Sequence, residues 1–142
     1  MRKLLVPIDP DNAGRTRSAV AQVVRIYRDE PVEVHLLRVL PRLSSHVALC
    51  FNTGELQQLQ QGMGEEDLAL ARSLLDAAAV PYTSSVLLGR SAHTIAATAQ
   101  SLRCDRVVLG EEGPGFADKL FGSLAQQVRH LLATGDCQVI GS

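Results

Sequence analysis

This chain of 142 residues has no tryptophan, and aromatic residues of any kind make up only 4% of it. Absorbance and fluorescence are therefore weak probes of it. It also lacks a long apolar run: nothing approaches the ~20 residues that a membrane-spanning helix needs, so no membrane partner is expected. Charge of one sign is not in excess either. Lys and Arg number 14 against 15 Asp and Glu, for a formal net charge of -1. Such a balance gives no bulk field to attract nucleic acid or an anionic membrane surface. Cys50, Cys104 and Cys137 are odd in number and far apart, which suits neither a disulfide framework nor a zinc site. The opening MRKLLVPIDP is basic and then apolar, but its apolar run is too short for the core of a signal peptide. A cytoplasmic location is the expectation.

What is present is a globular composition, 46% hydrophobic and 20% charged. The length fits one domain, residues 1–142, with a single real core. Arg2 to Ile8 (RKLLVPI) reads as a first strand, with Pro7 where it frays. A polar turn follows, in which Asp11 or Asn12 caps a helix. That helix buries Val20, Val23, Val24 and Tyr27, spaced i, i+3, i+4, i+7. Val32 to Leu40 is a second strand. His35 within it is expected to be a surface or hydrogen-bonded residue rather than a ligand. Residues 41–53 have no clean period and make a long loop. Its Ser44, Ser45 and His46 do not form a nucleophile–base pair by sequence proximity alone.

Gly54 to Val80 has the pattern of one long helix, with Leu68, Ala71, Leu75 and Ala78 on its core face. Pro81 then forces an extended chain. Tyr82 to Leu88 is a third strand, and Ser91 caps a compact helix built on Ala92, Ile95, Ala96, Ala99 and Leu102. Asp105 to Leu109 (DRVVL) is a fourth strand that stops at Gly110. Gly113 and Gly115 follow, and Gly122 and Ser123 open a last helix with Leu124, Val128, Leu131 and Leu132 on one face. Cys137 to Ile140 is a short fifth strand.

The sum is an alternating β-α-β-α-β-α-β-α-β chain. That alternation implies an α/β fold in three α/β/α layers, a parallel sheet covered by helices on both faces. Such sheets bind ligands at the carboxyl ends of their strands, where strand order reverses. With the order 3-2-1-4-5, strands 1 and 4 would flank that point, bringing Asp9 and Gly110 to one crevice. Free backbone N–H groups, a helix dipole and glycines that admit close approach make an anion site. Gly110, Gly113, Gly122 and Ser123 are therefore candidates for receiving nucleotide phosphates. A plainer account competes with it: the glycines make turns and Ser123 is an ordinary N-cap.

KLLVPID resembles the first strand and terminal aspartate of the universal stress protein family. VLLGRSAHTIAATAQSLRCDRVVLG resembles that family's third strand, glycine turn, third helix and fourth strand. GEEGPGFADKLFGSLAQQV resembles its nucleotide loop: glycine, two residues, glycine, nine residues, glycine, then serine or threonine. CQVI resembles the closing strand. The resemblance spans nearly the whole chain. It implies the Rossmann-like fold of the adenine nucleotide alpha hydrolases, with five parallel strands in the order 3-2-1-4-5. It also implies a homodimer, paired through the last strand at residues 137–141. The implied function is binding of ATP or a related adenine nucleotide, with or without Mg2+, as a regulatory ligand in stress response. Asp9 would match the aspartate near adenine and ribose. Val39 would match the position whose backbone reads the adenine edge. Gly110, Gly113, Gly122 and Ser123 would match the phosphate loop.

The loop departs from that pattern. Eight residues, Pro114 to Phe121, separate Gly113 from Gly122 where the family has nine. Glu111 and Glu112 sit inside the loop. Facing a phosphate at ~4 Å, with an effective dielectric of ~20, each would add about 4 kcal/mol of repulsion before screening. Three functions are in contention. A nucleotide-binding regulatory module comes first, and a nucleotide-free stress or scaffold dimer with a degenerate loop second. An enzyme comes last, at most a slow ATPase, since no P-loop-like lysine and no clear base stand out for phosphoryl transfer.

Overall fold

The fold was described from a computed structural model, which describes residues 2–41, 52–110, 118–133, 135 and 137–141. Ten elements run in order: β1 (Arg2–Pro7), α1 (Ala13–Asp29), β2 (Val32–Leu40), α2 (Thr53–Asp67), α3 (Ala69–Ala77), β3 (Thr83–Leu88), α4 (Ser91–Ser101), β4 (Arg106–Gly110), α5 (Asp118–Leu131) and β5 (Gln138–Gly141). The five strands form one sheet in the order β3-β2-β1-β4-β5. Every pairing is parallel. The expected α/β fold and strand order are therefore the observed ones.

Strand alternation divides the core in two. Leu4, Val6, Val34, Leu36 and Val108 point to one face, where α1 (Ala19, Val20, Val23) and α3 (Ala71, Leu75) cover them. Leu5, Leu37, Val39, Val107 and Leu109 point to the other, under α4 (Ile95, Ala96, Ala99) and α5 (Ala125, Val128). A period of two in each strand meets a period of 3.6 in each helix, which makes three layers. Each Leu or Val taken fully out of water contributes on the order of 2 kcal/mol.

Several local expectations are corrected. The segment read as one helix over Gly54–Val80 is two helices, interrupted at Leu68. Leu68 is fully buried in the first core, while α2 leans toward the sheet edge, where Gly64 sits so close to Val86 that a Cβ would collide with it. One straight rod cannot serve both contacts. Asn12, not Asp11, caps α1: its Oδ1 accepts the Arg15 backbone N–H at 3.0 Å. Ser91 is the first helical residue of α4 rather than its cap, which is Arg90 with no side-chain cap bond. The last helix begins at Asp118, so Gly122 and Ser123 lie in its second turn instead of opening it.

Candidate functional site

Parallel strands present their carboxyl ends on one side of the sheet, and there a cleft of ≈ 1850 Å³ opens. Ile8 N–H donates to Leu37 O at 2.9 Å, which ties the end of β1 to β2. Asp9 comes next, half-buried, and its Oδ1 accepts the Asp11 backbone N–H at 3.0 Å. That turn fixes the carboxylate at the cleft wall. Val39, near the end of β2, lines the same cleft. The two residues assigned to the adenine side thus lie together.

The Val39 carbonyl accepts Arg38 Nη1 at 2.7 Å. A carbonyl oxygen has two lone pairs, so one further donor can still be received. Arg38 is held in turn by Asp67 at the end of α2, Nε to Oδ2 at 2.8 Å. This pair was not singled out from sequence, because the partners are 29 positions apart and meet only through packing. Both are partly exposed, so the ion pair itself contributes little stability. Its effect is to fix where the Arg38 charge sits in the cleft. Arg90, Asp9 and Asp11 are also among the residues that line the cleft.

Gly110 closes β4 beside β1, with φ +73. Its carbonyl accepts Arg15 Nη1 at 3.0 Å in a buried contact. A Cβ there would stand 2.5 Å from Arg15 O and 2.9 Å from Ala19 N. Close packing on α1 is therefore one firm reason for glycine at this position. Arg15 is only 2% exposed, so it lies beneath the end of β4 rather than on the surface. Burying a guanidinium requires hydrogen bonds, and Gly110 supplies one acceptor. Gly110 is not among the residues lining the cleft.

From α5, Leu124 and Gln127 line the cleft, directly after Gly122 and Ser123 in sequence. Gly113, Glu111 and Glu112 lie outside the described residues, as do Ser44, Ser45 and His46. Asp9 and Val39 share the cleft, then, while Gly110 ends β4 outside its lining and Gly122 and Ser123 lie within α5. A smaller cavity of ≈ 410 Å³, beside Tyr27, Pro31 and Tyr82, contains none of the predicted site residues. Among the described residues no cluster of three or more His, Cys, Asp and Glu stands ready for a metal ion. No helix there is long and apolar enough to cross a membrane.

His35 lies on the cleft floor. Burial, and then the Lys3 ammonium, hold its imidazole below the usual histidine range. The ring is hydrogen-bonded at both nitrogens, to Thr83 Oγ1 and Ser85 Oγ, which agrees with the hydrogen-bonded role expected of it.

Known structures repeat this architecture. A universal stress protein from Archaeoglobus fulgidus superposes with a TM-score of 0.70 at 18% identity, covering 99% of this chain and 98% of that one. The Archaeoglobus fulgidus protein in complex with dAMP gives 0.66 at 16% identity, covering 99% and 97%. An Arabidopsis thaliana protein of the family with AMP bound gives 0.63 at 14% identity, covering 99% and 92%. Identities this low establish the fold alone. Among curated protein sequences none matches significantly. The model of the universal stress protein family matches residues 1–134, and by that match over almost its full length the chain belongs to the universal stress protein family.

Proposed function

We propose that this protein binds an adenine nucleotide in the cleft at the carboxyl ends of its strands, as a regulatory ligand. The observation that carries this reading is that Asp9 and Val39 both line the cleft at the carboxyl ends of a sheet whose strand order reverses between β1 and β4. Asp9 is suited to accept the ribose hydroxyls. The Val39 carbonyl keeps one lone pair for the exocyclic amine of adenine. Relatives of the same fold have been solved with cAMP, dAMP and AMP, which favours a mononucleotide at least as much as ATP.

Gly110, Gly113, Gly122 and Ser123 are proposed as the phosphate side. The first of these is already committed to α1, and Ser123 sits in the second turn of α5 rather than at its dipole end. A long polyphosphate therefore has less support than a single phosphate, and ATP with Mg2+ is the more demanding form of the proposal. We place the protein in the cytoplasm, in a stress-responsive role, as a homodimer paired through residues 137–141. The edge position of β5 is compatible with that pairing. No catalytic residues are assigned, and at most slow ATP hydrolysis is expected.

Isothermal titration with AMP, and with ATP with and without magnesium, on protein freed of co-purified nucleotide, tests the reading. Micromolar binding that Asp9→Ala weakens at least tenfold supports it. Absence of binding by folded, empty protein overturns it, and leaves the nucleotide-free scaffold dimer as the function.

A further inference from the structure

The edge of the sheet away from Gly110 carries a second chemical feature. His35 of β2 is paired in register with Thr83 of β3, and Leu37 with Ser85. Period-two alternation puts His35, Thr83 and Ser85 on one face, the face that α4 covers only in part. The imidazole lies across the two strands, with Nδ1 2.6 Å from Thr83 Oγ1 and Nε2 2.8 Å from Ser85 Oγ. Thr83 Oγ1 also lies 3.5 Å from the Val34 carbonyl. With the ring proton on Nδ1, Thr83 accepts from Nδ1–H, and the Ser85 hydroxyl donates to the lone pair on Nε2. Both Ser85 and His35 line the large cleft, whose walls here include Leu87, Ala92, Ile95 and Leu102.

We propose that Ser85 is a reactive nucleophile, with His35 as its general base, that takes the acyl group of activated carboxylic esters entering the cleft beside β3. Ser85 Oγ attacks the ester carbonyl as its proton passes to His35 Nε2. The bond from the carbonyl carbon to the alcohol oxygen breaks, and the departing alkoxide receives that proton. The product is acyl-Ser85 and a free alcohol. Thr83 is a positioning residue that holds the ring in the productive tautomer, the part an orienting group plays in nucleophile–base pairs generally. Apolar cleft walls favour an uncharged acyl group.

The neutral imidazole is ready as a base throughout the neutral range. The Lys3 charge that helps keep it neutral also opposes the imidazolium formed in the step. Acylation and hydrolysis of the adduct both pass through that imidazolium, so slow labelling rather than rapid turnover is expected. The neighbouring serine supplies an internal control. Ser84 faces the opposite side of the sheet, where its Oγ accepts Arg72 Nη2 at 2.8 Å.

The test is labelling of the intact protein with an alkyl fluorophosphonate and with p-nitrophenyl acetate, followed by peptide mapping. One adduct on Ser85 and none on Ser84 is expected. His35→Gln should slow labelling about 100-fold, the lower end of what positioned proton transfer supplies. Labelling elsewhere, no labelling, or a rate indifferent to His35→Gln overturns the proposal. Nitrogen-15 shifts of His35 in the unaltered protein give a second reading that no folding defect can confuse. A proton on Nδ1 supports the proposal, and a proton on Nε2 overturns it.

Discussion

Gly110 shows how one residue answers to two demands. The spacing of glycines around it invites a phosphate, yet its φ of +73 and the 2.5 Å approach to Arg15 O are demands of packing on α1. Both obstructing atoms belong to the backbone, so no rotamer change relieves them. Gly110→Ala should destabilise the fold by about 2–5 kcal/mol, from left-handed backbone strain and overpacking together. A lower urea midpoint with an unchanged slope would register it. A change within about 0.5 kcal/mol would show that α1 yields easily and that the glycine serves something else. Arg15 was legible in sequence only as one of several cations. Nothing along a helix says that a guanidinium will be buried under a strand 95 positions away.

At the scale of elements, sequence pattern performed well where hydrophobic period and chain punctuation agreed. Val32–Leu40 has its expected bounds, β1 and β3 are one residue shorter at one end, and β4 and β5 lie one residue further along, because β-branched runs flanked by Pro, Asp or Gly leave little room for choice. It failed where glycine was read as a boundary. Gly122 lies inside α5, whose buried Ala125 and Val128 outweigh the ~1 kcal/mol that an internal glycine costs. The interruption at Leu68 was hidden because Leu68, Ala71 and Leu75 keep a regular period across it.

The cross-strand tie from β2 to β3 also belongs to this scale. The folded His35 titrates below its ordinary value of 6.5. In the window just under 6.5 the unfolded chain therefore binds a proton that the folded one refuses. Stability should then be full above that pH and fall as pH drops through it, levelling off below the folded value. Urea midpoints at pH 7.5, 6 and 5 should show this fall in the unaltered protein and a smaller one in His35→Gln. Equal falls would mean that the ring is not the group responsible. Glu65, whose carboxyl the Arg72 hydrogen bond holds below its usual 4.5, acts in a separate and more acidic window.

For the whole molecule, alternation of strand and helix made the layered architecture readable, while the order β3-β2-β1-β4-β5 was readable only through family resemblance. Order depends on which strands pair across long stretches of chain, and no local period encodes that. The candidate site divides in the same way. Asp9 was expected in the crevice because strand ends bear ligands in such sheets, and Val39 only through the family resemblance. The Arg38–Asp67 pair and the Thr83–His35–Ser85 set were not, since partners up to 50 positions apart in the chain meet only once the register is set.

That register leaves β3 at the rim of the sheet, paired among the described residues with β2 alone. Its sequence TSSVLL has neither a charge nor a proline, and Leu87 and Leu88 are exposed. Soluble proteins commonly guard such rims with lysines or bulges. A rim left unguarded is a place where molecules stick to one another when crowded or partly unfolded. This exposed pair predicts self-association at high concentration, read as light scattering that rises with protein concentration.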